Sequence, residues 1–371
     1  MVLVIVIVIL FFLYTLLLFY YTNSWNAVPV FDAGDASPST LLSVIIPARN
    51  EEKNIGALLN ALKEQTYSSN FFEVIVIDDH SEDHTSQVVR TFQQVKLIQL
   101  QEDAINSYKK KAVETGIAEA NGKLIVCTDA DCVPGKDWLK TIAAYYEKNK
   151  PVFIAAPVVF TNNDSVIETF QALDFLVLQG ITGAVAQSGN HSLSNGANLA
   201  YEKKAFQQVG GFQGIDQLAS GDDLFLMQKM VKAFPGKIGY LKSTDAIVST
   251  SPMKTWKSFF EQRIRWASKT RRYKDLKLIA ALGLVYLFNL GFLVLLIGSC
   301  WHLYYLPLLL ILLVSKYLVE SVFVKTIAPF FNQELLIKKF YSYQLLHILY
   351  MIIAGCFGLW GKYTWKGRRV Q

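Results

Sequence analysis

The chain has 371 residues, of which 52% are hydrophobic and 18% are charged, and its formal net charge is +6. This composition excludes a disordered chain, a collagen-like fibre and a small disulfide-rich scaffold. The four cysteines show no C-x-x-C pair or metal-binding spacing, which favours reduced, packing cysteines over a disulfide or zinc framework.

The first predicted element is an apolar run at residues 1–21, interrupted only by Thr15. Its length matches the roughly 20 residues that an α-helix needs to cross a bilayer. It lacks the basic start and the short apolar core of a cleaved signal peptide, so we expect an N-terminal transmembrane anchor. Residues 22–39 are then predicted to form a linker.

Residues 40–253 are predicted to form an α/β domain, because short β-rich runs alternate with amphipathic helical patterns. The runs Leu42–Ile46, Val74–Ile77, Lys96–Leu100 and Leu124–Cys127 read as strands. After the first strand, Ile55, Leu58, Leu59 and Leu62 form the stripe of a helix packed on a sheet. This alternation is typical of a mainly parallel sheet, in which ligands bind beyond the carboxyl ends of the strands.

Acidic residues follow these strands, and neither a P-loop nor a G-x-G-x-x-G turn is present in the sequence. A phosphate ligand would therefore need a cation. Asp129 and Asp131 lie two apart after the fourth strand, so both carboxylates can face one Mg²⁺ or Mn²⁺ ion that also takes phosphate oxygens. The alternative is that they only cap the following helix or shape a turn.

Three further polar stretches have both a structural and a functional interpretation. The run Lys109–Lys111 is typical of a solvated helix face, although one lysine could reach a phosphate. Residues 195–198 are either only a turn or, beside an acceptor pocket, a place where small side chains let a substrate approach. Asp222 and Asp223 are either ordinary first-turn carboxylates or a pair in which mutual repulsion prepares a general base.

Residues 254–277 hold nine Lys or Arg residues and only two acidic ones, directly before a long apolar run. A nucleic-acid-binding surface would need basic residues across a folded face, so this local excess indicates the cytoplasmic side of a membrane span and a basic interfacial helix. Within it, Gln262, Arg265 and Trp266 share one helical face, which presents an amide, a cation and an aromatic ring together.

Residues 278–361 are predicted to contain three membrane segments, at 278–299, 303–324 and 341–360, before a basic tail at 362–371. In the second segment, Lys316 and Glu320 lie four apart and could pair. Three full crossings would place the basic tail outside, so we expect one segment to be interfacial or re-entrant, and we favour 341–360 for this role.

Taken in chain order, these motifs resemble those of the family 2 glycosyltransferases, and most closely their membrane-embedded branch, which includes cellulose, chitin and hyaluronan synthases and lipid glucosyltransferases. The resemblance covers about residues 40–272 and rests on Pro47-Ala48-Arg49-Asn50-Glu51, Asp78-Asp79-His80-Ser81, Asp129-Ala130-Asp131, Gly196-Ala197-Asn198, Gly221-Asp222-Asp223 and Gln262-x-x-Arg265-Trp266. Asp222 departs from the family's usual Glu, and Tyr108 stands where many relatives have Gly.

The resemblance implies a GT-A fold and inverting transfer from a nucleotide sugar, most often a UDP-sugar. The nucleotide-sugar would bind to Pro47, Arg49, Glu51, Asp78, Asp79, Lys109, Asp129, Gln262, Arg265 and Trp266. Asp131 and Asp129 would hold the Mg²⁺ or Mn²⁺ ion. Asp223 would be the general base beside Asp222, and the acceptor would contact Gly196, Ala197, Asn198 and Trp266.

The resemblance also implies the biological setting. The partners would be a nucleotide-sugar donor, a lipid or saccharide acceptor and a membrane, with no nucleic acid. The chain would be a multi-pass membrane protein whose catalytic domain faces the cytoplasm, at the plasma or inner membrane in a bacterium. Transfer of single sugars to a membrane-borne acceptor is favoured because few C-terminal segments are available to wall a polymer channel. A processive polysaccharide synthase and an inactive scaffold are the alternatives.

Overall fold

The computed structural model describes residues 2–102, 107–161, 165–186, 193–218, 220–358, 363–365 and 368–370. By internal contacts the chain divides into two compact units. The first unit comprises Met1–Ala27, Asn162–Ala184 and Pro252–Tyr363; the second comprises Val28–Thr161, Val185–Ser251 and Thr364–Gln371.

The strands of the described residues are β1 Leu42–Ala48, β2 Phe72–Asp78, β3 Val95–Gln99, β4 Leu124–Cys127, β5 Cys132–Pro134, β6 Phe153–Ala155, β7 Val158–Phe160, β8 Leu199–Glu202, β9 Ile238–Tyr240, β10 Val248–Thr250, β11 Tyr363–Trp365 and β12 Arg368–Val370. The helices are α1 Val2–Ala27, α2 Ile55–Lys63, α3 Thr85–Arg90, α4 Tyr108–Ala118, α5 Trp138–Asn149, α6 Val166–Ala186, α7 Lys203–Gln208, α8 Asp222–Ala233, α9 Trp256–Ser268, α10 Leu276–Ser299, α11 Tyr305–Ile327, α12 Glu334–Lys339 and α13 Gln344–Gly358.

The second unit is built on a seven-stranded sheet in the order β3-β2-β1-β4-β8-β6-β9. Within this sheet β8 runs antiparallel to both of its neighbours, and the remaining pairs are parallel. A smaller sheet has the order β5-β10-β7. The four predicted strands and the mainly parallel α/β arrangement are thus confirmed.

The register of the three strands β2, β1 and β4 brings their carboxyl ends to one edge. Ala48 at the end of β1 pairs with Asp78 on one side, and Ile45 pairs with Cys127 on the other. The residues that follow these strands therefore emerge at the same edge of the sheet, as expected for a ligand-binding crevice of a parallel sheet.

Helices pack closely on this sheet because apolar stripes and small residues face it. The predicted stripe of α2 is confirmed, since Ile55, Leu58, Leu59 and Leu62 are at most 2% exposed. On α4, a Cβ at Gly116 would lie 2.7 Å from Ile77 Cδ1 and 2.8 Å from Ile45 Cγ2. Glycine at this position therefore lets α4 approach β1 and β2 closely.

The first unit is helical, and its described residues include a core of aromatic side chains. Phe170 of α6, Phe259 of α9 and Tyr350 of α13 pack together, with ring centroids 5.3 to 5.7 Å apart. The interior also holds charge: Lys316 Nζ lies 2.6 Å from Glu320 Oε1, so the predicted pair within α11 is confirmed.

Five helical stretches of the described residues have the length and composition needed to cross a membrane: Val2–Ala27, Val166–Ala186, Leu276–Ser299, Tyr305–Phe331 and Glu334–Gly358. Four of them correspond to the predicted segments, the last of which extended to residues 359–360, outside the described residues. Val166–Ala186 was not among the predictions, because Glu168, Asp174 and several glutamines and threonines interrupt its apolar pattern.

Candidate active site

The loops after β1 and β2 are tied together by the predicted donor-binding residue Arg49. Its side chain is only 8% exposed, and its Nη1 donates to the backbone oxygens of Asp79, at 3.0 Å, and His80, at 3.1 Å. Its Nη2 lies 3.1 Å from a carboxylate oxygen of Glu82. Asn50 and His80, which adjoin these strand ends, both adopt a positive φ of 52°. Such strained backbone persists only where surrounding contacts fix it.

The neighbouring predicted residues Asp78 and Glu51 are also held in place by hydrogen bonds. Asp78 accepts hydrogen bonds from the Ser81 N–H, at 3.1 Å, and from the Ser86 hydroxyl. The Glu51 N–H donates to Thr85 Oγ1 at 2.7 Å, and the Glu51 carboxylate accepts from the side chain of Asn54 at the same distance. The structure therefore brings Arg49, Glu51, Asp78 and Asp79 together in one rigid polar edge.

Lys109 brings together carboxylates from two different elements. Its Nζ lies 2.6 Å from Asp129 Oδ1, directly after β4, and 3.5 Å from Asp222 Oδ2, in the first turn of α8. Burial would lower the pKa of Lys109, but the charges of Asp129 and Asp222 outweigh it and raise that pKa above its usual value. The lysine therefore stays protonated and neutralises part of this acidic cluster.

Asp223 is held by backbone N–H groups at both of its oxygens. Oδ2 accepts from Gly196 at 3.0 Å, and Oδ1 accepts from Leu224 at 2.7 Å. A Cβ at Gly196 would lie 3.2 Å from Lys109 Nζ and 3.3 Å from Asp222 Oδ2, so the predicted glycine turn packs directly on the acidic cluster. The carboxylate is thus fixed in orientation, as a general base needs to be.

The rest of the 196–198 turn is part of the scaffold. Asn198 has no exposed surface, donates from Nδ2 to the backbone oxygens of Pro157 and Ala246 at 2.7 Å each, and accepts from Trp138 Nε1 at 3.0 Å. Ala197 is also buried, and its oxygen accepts from Thr128 Oγ1 at 2.9 Å. The side chain of Asn198 therefore offers no polar atom to an acceptor in this structure, and its three hydrogen bonds shape the turn that presents Gly196.

Few side chains are available to ligate a metal ion at the predicted metal site. Among the described residues no group of three or more His, Cys, Asp or Glu side chains could hold an ion. The Cys132 Sγ lies 3.8 Å from Asp131 Oδ1, and burial, with the nearby charges of Asp129 and Asp131, raises the pKa of this thiol well above its usual value. The candidate ligands are thus the two carboxylates, and this fits Mg²⁺, which commonly takes one or two carboxylates and completes its shell with substrate phosphates and water.

The predicted residues Gln262, Arg265 and Trp266 lie on α9, within the first unit, and all three are half-buried. Between them, Arg263 is 1% exposed and pairs with Asp174 at 2.7 Å. Its guanidinium carbon lies 4.1 Å from the centroid of the Trp266 ring. The helical spacing pointed to Gln262, Arg265 and Trp266, but it did not predict that Arg263 is buried between them.

Sequence reasoning also missed Lys110, which is 2% exposed. A signal was present, because Lys110 shares the i, i+3, i+7 spacing of a buried helical face with Val113 and Ile117, both of which are at most 3% exposed. A lysine run is usually interpreted as a solvated surface, and that expectation concealed the pattern.

Comparison with known proteins shows what this domain is similar to. Residues 43–210 match the family described as Glycosyl transferase family 2. A probable glycosyltransferase, YdaM, of Bacillus subtilis is 26% identical over 261 residues, which are 64% of this chain and 57% of the relative. The beta-monoglucosyldiacylglycerol synthase of Synechocystis is 27% identical over 263 residues, which are 67% of this chain and 52% of that protein. The chain thus spans little more than half the length of these relatives.

A solved structure shares the fold over nearly the whole chain. The mannosyltransferase PcManGT from Pyrobaculum calidifontis, in complex with GDP-Man and Mn²⁺, superposes with a TM-score of 0.62 at 19% sequence identity. The alignment covers 97% of this chain and 98% of that one. The predicted GT-A fold, with apolar helices near both ends, is confirmed.

Proposed function

We propose that this chain is an inverting, membrane-bound glycosyltransferase that moves a sugar from a nucleotide-sugar donor to a lipid or other membrane-borne acceptor. The observation that carries the proposal is the cluster of Lys109, Asp129, Asp222 and Asp223 at the carboxyl edge of the sheet in a domain that matches family 2. Asp223 is held at both of its carboxylate oxygens and lies beside Gly196. The hydroxyl of the sugar acceptor would approach the base at this glycine.

The donor would be a nucleotide sugar. We favour a UDP-sugar, because the family 2 glycosyltransferases that the sequence resembles most often use one. The polar edge formed by Arg49, Glu51, Asp78 and Asp79, with Pro47 before it, supplies the donors and acceptors for a nucleoside. The mannosyltransferase that shares the fold binds GDP-Man, which supports a nucleotide-sugar in general without favouring one base.

The transfer step follows from the charges of the cluster. The Asp223 carboxylate accepts the proton of the acceptor hydroxyl, whose oxygen forms a bond to the sugar C1 from the face opposite the nucleotide. The bond between C1 and the phosphate oxygen breaks, and the nucleoside diphosphate leaves with that electron pair. Lys109 would offset part of the negative charge gained by the leaving group.

Asp129 and Asp131 would hold a divalent cation, Mg²⁺ or Mn²⁺, against the donor diphosphate. When bound, such an ion supplies positive charge that stabilises the departing phosphate oxygens. The mannosyltransferase with the same fold contains Mn²⁺, which supports this assignment. Two carboxylates leave room for phosphate oxygens as the remaining ligands.

A membrane-borne acceptor is favoured by the five candidate spanning helices of the described residues and by a relative that is named as a glycolipid synthase. The basic segment 254–277 would lie at the cytoplasmic surface, in keeping with the charge bias of membrane proteins, and the second unit would face the cytoplasm. Analysis of product length would separate this proposal from the processive alternative.

The test is the transfer activity of the purified full chain with Asp223→Asn. Transfer should fall by about 10²-fold or more, because a positioned base is worth ~10²- to 10⁴-fold, whereas binding of the donor should persist. The assay incubates the protein with UDP- and GDP-sugars and Mn²⁺, then analyses lipid and polymer fractions. Asp245→Asn, at an exposed residue of the same unit, is the matched control and should retain full activity. Undiminished transfer by the Asp223 variant would remove this residue from the base role.

A further inference from the structure

Three consecutive lysines at the start of α4 have three different environments. Lys109 contacts the carboxylates of Asp129 and Asp222. The side chain of Lys111 is 40% exposed and pairs with Glu102 at 2.9 Å. Lys110, between them, is 2% exposed and points into the protein. Burying a lysine is costly unless its ammonium group finds partners, so its contacts indicate why it is retained.

The ammonium group of Lys110 contacts the segment that leads into α8. Its Nζ donates to the backbone oxygen of Leu218, to that of Ser220 at 3.0 Å, and more weakly to Ser107 Oγ at 3.4 Å. Leu218 and Ser220 lie more than one hundred residues away in the sequence, so a single side chain connects α4 to this distant segment. An ammonium group has three N–H donors and can satisfy several acceptors at once.

This segment sets the position of the acidic pair. Ser220 is followed by Gly221, which has a φ of +80° and caps α8, and then by Asp222 and Asp223 in the first turn of that helix. Such a positive φ is readily adopted only by glycine, so the chain turns sharply here. Fixing the two carbonyl groups just before the turn therefore fixes where the first turn of α8 begins and where its two carboxylates point.

We propose that Lys110 is a positioning residue of the transfer reaction: by holding the carbonyl groups of Leu218 and Ser220, it keeps Asp222 beside Lys109 and Asp223 on the Gly196 N–H. The inference rests on the proposed function, because it assigns Lys110 to the support of the base. Lys109 and Lys110 then act on the same acidic pair from one end of α4. Lys109 contacts a carboxylate of the pair, and Lys110 holds the backbone that leads into it.

The experiment compares Lys110→Met with Lys111→Met in the purified full chain. Methionine fills a similar volume but cannot donate, so the two carbonyl groups lose their partner. We measure the number of donor-binding sites by equilibrium binding of labelled donor and divide the transfer rate by that number. Because a small misplacement of a catalytic group costs up to ~10²-fold, Lys110→Met should transfer about 10-fold more slowly per binding site, with donor affinity within about threefold of the wild type. Lys111→Met should match the wild type in both.

A merely structural role would give a different result. It would reduce the number of donor-binding sites and leave the rate per site unchanged, and this outcome would overturn the inference, as would an equal loss in Lys111→Met. If Lys110→Met does not fold, Lys110→Gln decides, since its amide keeps donors without the charge. That variant should transfer more slowly per site than the wild type, and a wild-type rate would overturn the inference. A wild type that transfers no sugar from any donor would instead defeat the proposed function.

Discussion

Lys109 carries one positive charge between carboxylates of two different elements. Burial opposes its protonation, but Asp129 and Asp222 together raise its pKa above the usual value for lysine. A group whose pKa is raised on folding stabilises the protein fully below its unfolded-state pKa, about 10.4 for lysine. The stabilisation is lost only as the pH rises through the higher folded-state value, so it is constant across the neutral range.

We therefore predict that Lys109→Met lowers the free energy of unfolding by ~2 kcal/mol, because two carboxylates lose a charged hydrogen-bond partner. The difference from the wild type should be the same at pH 6, 7.5 and 9, as measured by thermal unfolding in detergent. Lys96→Met is the control, since Lys96 forms an exposed pair with Glu119 at 2.6 Å and should contribute less than ~1 kcal/mol. A difference that disappears between pH 6 and 9 would contradict the assigned ion pairs.

At this scale the sequence predicted which residue types gather but not what each one touches. Asp129, Asp222 and Lys109 were all predicted site residues, and the structure brings them together. That Asn198 and Lys110 are buried, while the side chain of Lys111 is 40% exposed, depends on the direction in which each side chain points. Such directions follow from packing between elements that are distant in the chain, which a local pattern does not contain.

Among the elements, β1 and β4 set the edge on which the site lies, and their approach depends on one glycine. Gly122 lies two residues before the start of β4, and its N–H donates to Ser43 Oγ of β1 at 2.7 Å. A Cβ at Gly122 would lie 2.4 Å from Ser43 N and 2.6 Å from Leu42 C. These are backbone atoms of a central strand, so they cannot move aside without disturbing the register with β2.

Gly122→Ala should therefore destabilise the chain by ~3 kcal/mol, the upper part of the range for overpacking. The measurement is thermal unfolding in detergent, with Gly135→Ala as the matched control. A Cβ at Gly135 meets nothing nearer than the Asp245 oxygen at 4.0 Å, so that variant should unfold with the wild type. Equal midpoints for both variants would show that the close approach at Gly122 is unimportant.

The elements themselves were largely predictable from the sequence. The four strands β1 to β4 and the stripe of α2 follow from β-rich runs and helical periodicity. The antiparallel insertion of β8 between β4 and β6 did not follow, because short strands of three or four residues carry too few side chains to show a period. The helix α6 was missed as a candidate span because polar residues that it buries interrupt its apolar pattern.

In the whole molecule, the acidic cluster and the helix of Gln262, Arg265 and Trp266 belong to different compact units. The first unit has a polar network of its own among apolar helices. Lys316 Nζ donates to Gln344 Oε1 at 2.9 Å, and Gln344 Nε2 donates to Glu320 Oε2 at 2.8 Å. The Tyr14 hydroxyl also donates to Glu320, so this network joins α1, α11 and α13.

Breaking this network on one side only should be the most damaging change. Lys316→Met should cost ~3 to 5 kcal/mol, because it leaves the buried Glu320 without its cation. The double variant Lys316→Met with Glu320→Leu should recover most of that loss, since it removes both charges. Thermal unfolding in detergent measures both, with Lys325→Met, at an exposed position of α11, as the control. A double variant less stable than the single one would show that the pair itself supplies net stability.

The orientation of the chain in the membrane can be tested at a natural cysteine. Cys300 is exposed and lies directly after α10, in the turn before α11, whereas Cys127 and Cys132 are buried and Cys356 is half-buried. If the basic segment 254–277 is cytoplasmic and α10 crosses the bilayer, Cys300 lies on the opposite face. A membrane-impermeant maleimide should then label the protein in intact cells, and Cys300→Ser should abolish the labelling. Labelling that appears only after the cells are opened would reverse the proposed orientation.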